Sequence, residues 1–131
     1  MYTMKNVCEE LELPYETLRY YCNEGLVPNV KRDANNHRMF DDRDLNWLRS
    51  LQCLRKCGLS IKEVKSYLNY CLEGPSTITI RKEILEAKKE ALLKEIESIQ
   101  ESVDFIDQKQ DFYDGVLAGR IKYTSNLIDV D

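Results

Sequence analysis

A cluster of five basic side chains and five cysteines have the strongest claim to chemistry in this chain. Arg19, Lys31, Arg32, Arg38 and Arg43 fall within 25 residues, a density of positive charge suited to a polyanion. Tyr15, Thr17 and Tyr20 stand among them, side chains able to reach phosphates and base edges. The cysteines (Cys8, Cys22, Cys53, Cys57, Cys71) are odd in number and read as reduced thiols rather than a disulfide framework. A zinc site wants three or four nitrogen or sulfur ligands, and Cys53 plus Cys57 supply two in a chain with a single histidine. No metal and no cofactor are expected. Nor is there a Ser/His/Asp or Cys/His pairing, a phosphate-cradling glycine loop, or a carboxylate pair with positional meaning. The chain is not expected to be an enzyme.

Length and composition agree with a small binding protein. The 131 residues, 43% apolar and 32% charged, suit one compact domain or a small domain with an extension. No apolar run approaches the roughly 18 residues of a membrane span, and MYTMKNVCEEL lacks the marks of a secretory signal. A cytoplasmic protein without a membrane partner is the expectation. The net charge of −4 hides an asymmetry: residues 1–65 carry +1 and residues 66–131 carry −5. A basic patch that touches nucleic acid and an acidic half that stays off it are compatible.

The elements that must position these residues follow from periodicity and caps. Met4, Val7, Cys8 and Leu11 form the stripe of a short helix capped by Thr3. Leu13-Pro14 breaks it. A second helix over residues 15–23 buries Leu18, Tyr21 and Cys22 and stops at Gly25. Two short helices across a tight break are the arithmetic of a helix-turn-helix. Asp33-Ala34-Asn35-Asn36 is turn chemistry inside residues 26–40, which predicts a β-hairpin. Asp41, with Asp44 at the capping-box position, starts a helix that ends at Cys57-Gly58. Ser60 starts another, with the stripe Ile61, Val64, Leu68, Cys71 and Leu72, ended by Gly74-Pro75.

Beyond that boundary the composition changes. From about Thr79 to Phe112 there is neither Gly nor Pro, and Leu85, Leu92, Ile96, Ile99, Val103 and Ile106 keep three- and four-residue spacing. Such a helix spans roughly 45–50 Å. A body as small as residues 1–72 cannot cover its apolar stripe, so the expectation is a homodimer through a second copy of this helix. The divisions are therefore a head, 1–74, a dimerisation helix, 75–112, and a short helix or tail, 113–131. The fold class is all-α with a small β-hairpin wing.

The string TLRYYCNEGLVPNVKRDANNHRMFDDRDLNWLRSLQCLRKCGLSIKEVKSYL resembles the DNA-binding domain of MerR-type transcription regulators. Its marks are TLRYY, GL-x-P, the Lys31-Arg32 pair, Arg38-Met39-Phe40, D-x-x-x-L and L-x-x-x-G-x-S-I-K-E. The resemblance is close over residues 2–72 and loose beyond. It implies a winged helix-turn-helix head and a dimer pairing through antiparallel long helices as a coiled coil. It also implies a pseudo-palindromic operator in double-stranded promoter DNA, and regulation by distorting that promoter, with RNA polymerase engaged indirectly. The chain departs from the family at Pro14, where a small polar cap is usual, and at His37 and Phe40, where Tyr is usual or common. Tyr15, Thr17, Arg19 and Tyr20 on the second helix, Lys31, Arg32, His37 and Arg38 on the wing, and Lys62 are the expected DNA contacts.

On a helical wheel Leu45, Trp47, Leu48, Leu51 and Leu54 form the core arc, and Cys53 and Cys57 fall roughly opposite, near Arg49 and Lys56. Nearby cations favour the reactive thiolate. Cys8, Cys22 and Cys71 lie in apolar stripes and read as small core residues. LQCLRKCGLSIKE is similar to the aldehyde- and thiol-stress branch of the family, the AdhR/NmlR-like regulators, and that similarity makes Cys53 the expected electrophile sensor with Cys57 a weaker second. Two other readings stay open: a non-covalent small-molecule effector, and an acidic coiled-coil interaction module whose head does not bind DNA.

Overall fold

A computed structural model describes residues 1–130. The chain divides into two compact units, Met1–Lys88 and the segment from Lys89 onward.

The first unit begins with β1 (Tyr2–Thr3) and α1 (Met4–Leu11), followed by α2 (Tyr15–Asn23). Strands β2 (Lys31–Arg32) and β3 (Arg38–Phe40) make the wing, and α3 (Asp42–Lys56) and α4 (Ile61–Glu73) complete the head. A 3-10 turn over Pro75–Thr77 leads into α5 (Ile78–Leu117), whose 40 residues run into the second unit. At about 1.5 Å per residue α5 is about 60 Å long.

Caps fix the helix starts. Thr3 and Asn6 on α1, Asp41 and Asp44 on α3, and Ser60 and Glu63 on α4 form reciprocal capping boxes. The break before α2 is different: Pro14 stands at its N-cap, with no side-chain acceptor. After α2, Gly25 takes a φ of +75°, which lets the Leu26 N–H reach the Tyr21 carbonyl at 2.9 Å and turns the chain toward the wing.

The core is the one the stripes require. Val7, Leu11, Leu18, Tyr21, Leu26, Phe40, Leu45, Leu48, Leu51, Leu54, Leu59 and Val64 are buried together. Trp47 is half-buried and donates its indole N–H to the Leu26 carbonyl at 2.6 Å. This satisfies the one polar atom of the ring against the segment that enters the wing.

Four sequence expectations need correction. The sheet has three strands in the order β1-β3-β2, with Tyr2 opposite Phe40 and Lys31 opposite Met39, and not only the hairpin. The amino terminus adds the extra strand by pairing with the free edge of β3. Leu72, placed on the α4 stripe, is exposed. Cys71 is half-buried outside the main cluster, its Sγ accepting from Arg81 at 3.7 Å. That guanidinium also donates to the Gly74 carbonyl and to Thr77 Oγ1, a buried side chain that itself donates to the Tyr70 carbonyl. The last correction is at the end of α5, which continues through Gly115 to Leu117; residues 118–130 contain no further helix. Gly115 does not break the helix because its role is packing: the Ile121 side chain occupies the space that a Cβ there would need. Gly119, at a φ of +79°, reverses the chain, with Gly119 N–H on the Val116 carbonyl and Arg120 N–H on the Gly115 carbonyl.

Candidate nucleic-acid interface

The wing is held to the helix-turn-helix by specific bonds. Its turn is built on Asp33, whose carboxylate accepts from the backbone N–H groups of Asn35 and His37, both at 2.9 Å. Those two donors, His37 first, hold the Asp33 carboxyl below its usual range. Asn36 takes a φ of +62°, which Asn tolerates better than most residues. Arg38 then donates from Nη2 to Asn23 Oδ1 at 2.7 Å, joining β3 to the last residue of α2.

This arrangement brings four of the nine expected contacts, Tyr15, Arg32, His37 and Arg38, to one groove. An open groove of about 350 Å³ is lined by Tyr15 at the start of α2, by Arg32, Asp33, His37 and Arg38 of the wing, and by Lys5 on α1. Tyr15, Arg19, Tyr20, Arg32 and His37 are exposed, and Thr17 and Arg38 are half-buried. Arg19 has only a loose contact with Glu16, at 3.8 Å, and stays available to a partner. Lys62 is exposed in the first turn of α4, apart from the groove. Lys5 lines the groove and is not among the contacts expected from the sequence. Its signal was available: a lysine in the first turn of a helix that abuts the recognition helix.

Lys31 meets a different arrangement from the expected wing contact. Its ammonium donates to Asp41 at 2.8 Å, to the buried Asp44 at 3.2 Å and to the Asn29 carbonyl at 2.7 Å. All three of its protons have protein acceptors.

The five cysteines separate by environment. Cys53 is exposed, and the other four are half-buried. Burial pushes the Cys8 and Cys22 thiols up, as expected of core residues. Cys57, expected on the outer face with Cys53, packs instead against the head core. Arg49, expected to favour a Cys53 thiolate, donates to Glu10 at 3.1 Å and to Asn46 at 3.3 Å. Among the described residues no group of His, Cys, Asp and Glu is arranged to hold a metal ion. Among the described residues no helix is long and apolar enough to cross a membrane.

Comparison with known proteins places the chain in a family. The family described as MerR HTH family regulatory protein matches residues 2–71. An uncharacterized HTH-type transcriptional regulator of Haemophilus influenzae is 41% identical over 85 residues, 65% of this chain and 63% of its own. The HTH-type transcriptional regulator AdhR of Bacillus subtilis is 39% identical over 79 residues, 60% of this chain and 56% of its own. The matched part of the chain thus spans about three-fifths of the length of these curated relatives. Among solved structures, HiNmlR, a MerR family regulator lacking the sensor domain and bound to promoter DNA, superposes with a TM-score of 0.74 at 35% identity, covering 89% of this chain and 93% of that one. A MerR-type regulator from Listeria monocytogenes superposes with a TM-score of 0.79 at 33% identity, covering 91% and 90%.

Proposed function

The chain belongs to the MerR HTH family of regulatory proteins, and from that premise we propose that it is a transcriptional regulator that binds a two-fold operator in promoter DNA as a homodimer. The observation that carries the reading is the single groove in which Tyr15, Arg32, His37 and Arg38 converge with Lys5. Recognition helix α2 supplies base-edge contacts, and the wing supplies phosphate contacts that fix its register. The second subunit doubles the site, so the operator is an inverted repeat. RNA polymerase is engaged through the distorted promoter, not through a dedicated surface. Bending or untwisting DNA costs a few kcal/mol, so an effector need only bias two dimer shapes.

In this proposal the signal is an electrophile or aldehyde, and it acts at Cys53. Exposure supports this: Cys53 is the most open of the five cysteines, and the other four are half-buried. The deciding experiment titrates the purified chain against a promoter fragment carrying an inverted repeat, at several salt concentrations. A saturable shift that weakens with salt supports the regulator. Binding to no repeat, or binding insensitive to salt, supports the acidic interaction module instead.

A further inference from the structure

The end of α5 and the chain beyond it form a second groove, of about 520 Å³, within the unit that begins at Lys89. The fold builds it. Gly119 reverses the chain, Ile121 seats against Gly115, and Ser125 Oγ accepts from the N–H groups of Leu127 and Ile128 at 3.0 and 3.2 Å. The returning chain therefore has a fixed course along α5.

The lining has a definite chemistry. Phe105 and Phe112 from α5 and Tyr123 from the returning chain supply aromatic surface, with the Phe112 and Tyr123 ring centroids 6.5 Å apart. Lys109 places its ammonium 5.9 Å from the Phe105 ring centroid and, among the described residues, is the single charged residue in the lining. Gln108 and Asn126 add hydrogen-bonding edges. Small-molecule sites commonly have about 300–1,000 Å³; this groove falls in that range and is open, with Thr124, Ser125 and Asn126 making its rim more polar than its aromatic wall. On a helical wheel Phe105 lies about 140° and Phe112 about 160° around α5 from the centre of the Ile96–Ile106 seam. A second copy seated on that seam would lie on the side of α5 away from these two rings.

We infer that this groove binds a small planar aromatic anion, an aromatic carboxylate or phenolate, with its ring against Phe105, Phe112 and Tyr123 and its negative group on Lys109. Rings favour rings through apolar area and offset stacking, and an ammonium shielded on one side by an aromatic face pairs more strongly with an anion than one fully in water.

The test is calorimetric titration of the full chain with 1-naphthoate, and with 1-naphthalenemethanol as its neutral counterpart. Both are expected to bind saturably at one site per chain, the acid more tightly. Lys109→Gln should weaken naphthoate about tenfold and leave the alcohol within about twofold; Phe112→Leu should weaken both. Unchanged helical circular dichroism keeps either loss attributable to the site. No saturable binding of either compound, or naphthoate binding unchanged in Lys109→Gln, overturns the inference. Since no DNA is present, the outcome is separate from that of the operator experiment.

Discussion

The Lys31 ammonium lies 2.8 Å from Asp41 and 3.2 Å from Asp44, so one wing residue closes on both carboxylates of the α3 capping box. The wing and α3 are therefore one electrostatic unit, and the pair makes a prediction about pH. Lys31 first, and then the Asp44 backbone N–H, hold the Asp41 carboxyl at about 2, against an ordinary 3.8. A carboxyl depressed in the folded state stabilises it fully above the ordinary value, and that contribution fades as pH falls from about 4 toward 2. The urea midpoint of the chain should fall through this window. Lys31→Met should flatten the acid dependence and lower the melting temperature by several degrees at neutral pH, measured by circular dichroism.

For DNA, log K should fall linearly with log salt, by about 0.9 for each phosphate contacted. Arg19→Ala and Lys5→Ala should each weaken operator binding and reduce that slope by about one unit. Arg38→Ala should cost more, because it also frees the wing from Asn23. Lys31→Met should leave the slope unchanged once stability is matched. Fluorescence anisotropy at four salt concentrations reads all of these.

The proposed dimer would form along the α5 seam. Leu85, Ile96, Ile99, Val103 and Ile106 are exposed along it and Leu92 is half-exposed. A stripe of this kind on a long helix is normally buried against another helix. Ile99→Asp should shift sedimentation from dimer to monomer while leaving the head folded, with operator affinity falling at least tenfold. A wild type that sediments as a monomer at micromolar concentration would reject the dimer.

Limiting treatment with an electrophile should label Cys53 ahead of the other four thiols, as read by mass spectrometry. Cys53→Ser should lose induction in a reporter strain and keep near-wild-type operator binding. Cys57→Ser, which introduces a hydroxyl beside the head core, should lower stability by about 1 kcal/mol and leave the response intact. Full induction in the Cys53→Ser strain would reject the thiol sensor.

Much of the head was legible because its signals are local. Thr3, Asp41 and Ser60 announce helix starts through their own side chains, and the Leu45–Leu54 arc announces a buried face through its period. What escaped depends on partners far away in sequence. Two residues, Tyr2 and Thr3, are too few to show alternation, and they become a strand only because β3 offers an edge. Lys31 looks like any wing cation until Asp41 and Asp44 close on it. Gly115 has the composition of a breaker, and only the return of Ile121 gives it another purpose. Cys57 is still on the helical path of α3, but Gly58, at a φ of +97°, turns the chain back and brings the buried Leu59 home to the core beside it, which a wheel for α3 alone does not show.

The start of α2 has a consequence for motion. The helices α1, α3 and α4 each carry a reciprocal side-chain cap, whereas α2 begins at Pro14 with none. A missing N-cap side chain forgoes about 1 kcal/mol of local stability, so the first turn of α2 depends on the burial of Leu18 and Tyr21 to hold its shape. Opening of that turn, without global unfolding, is then expected to cost less than opening the first turns of the capped helices. Native-state hydrogen exchange should find its amides exchanging earlier than those of α3. In free solution the recognition helix would breathe at the end that carries Tyr15, and a bound duplex would slow that exchange.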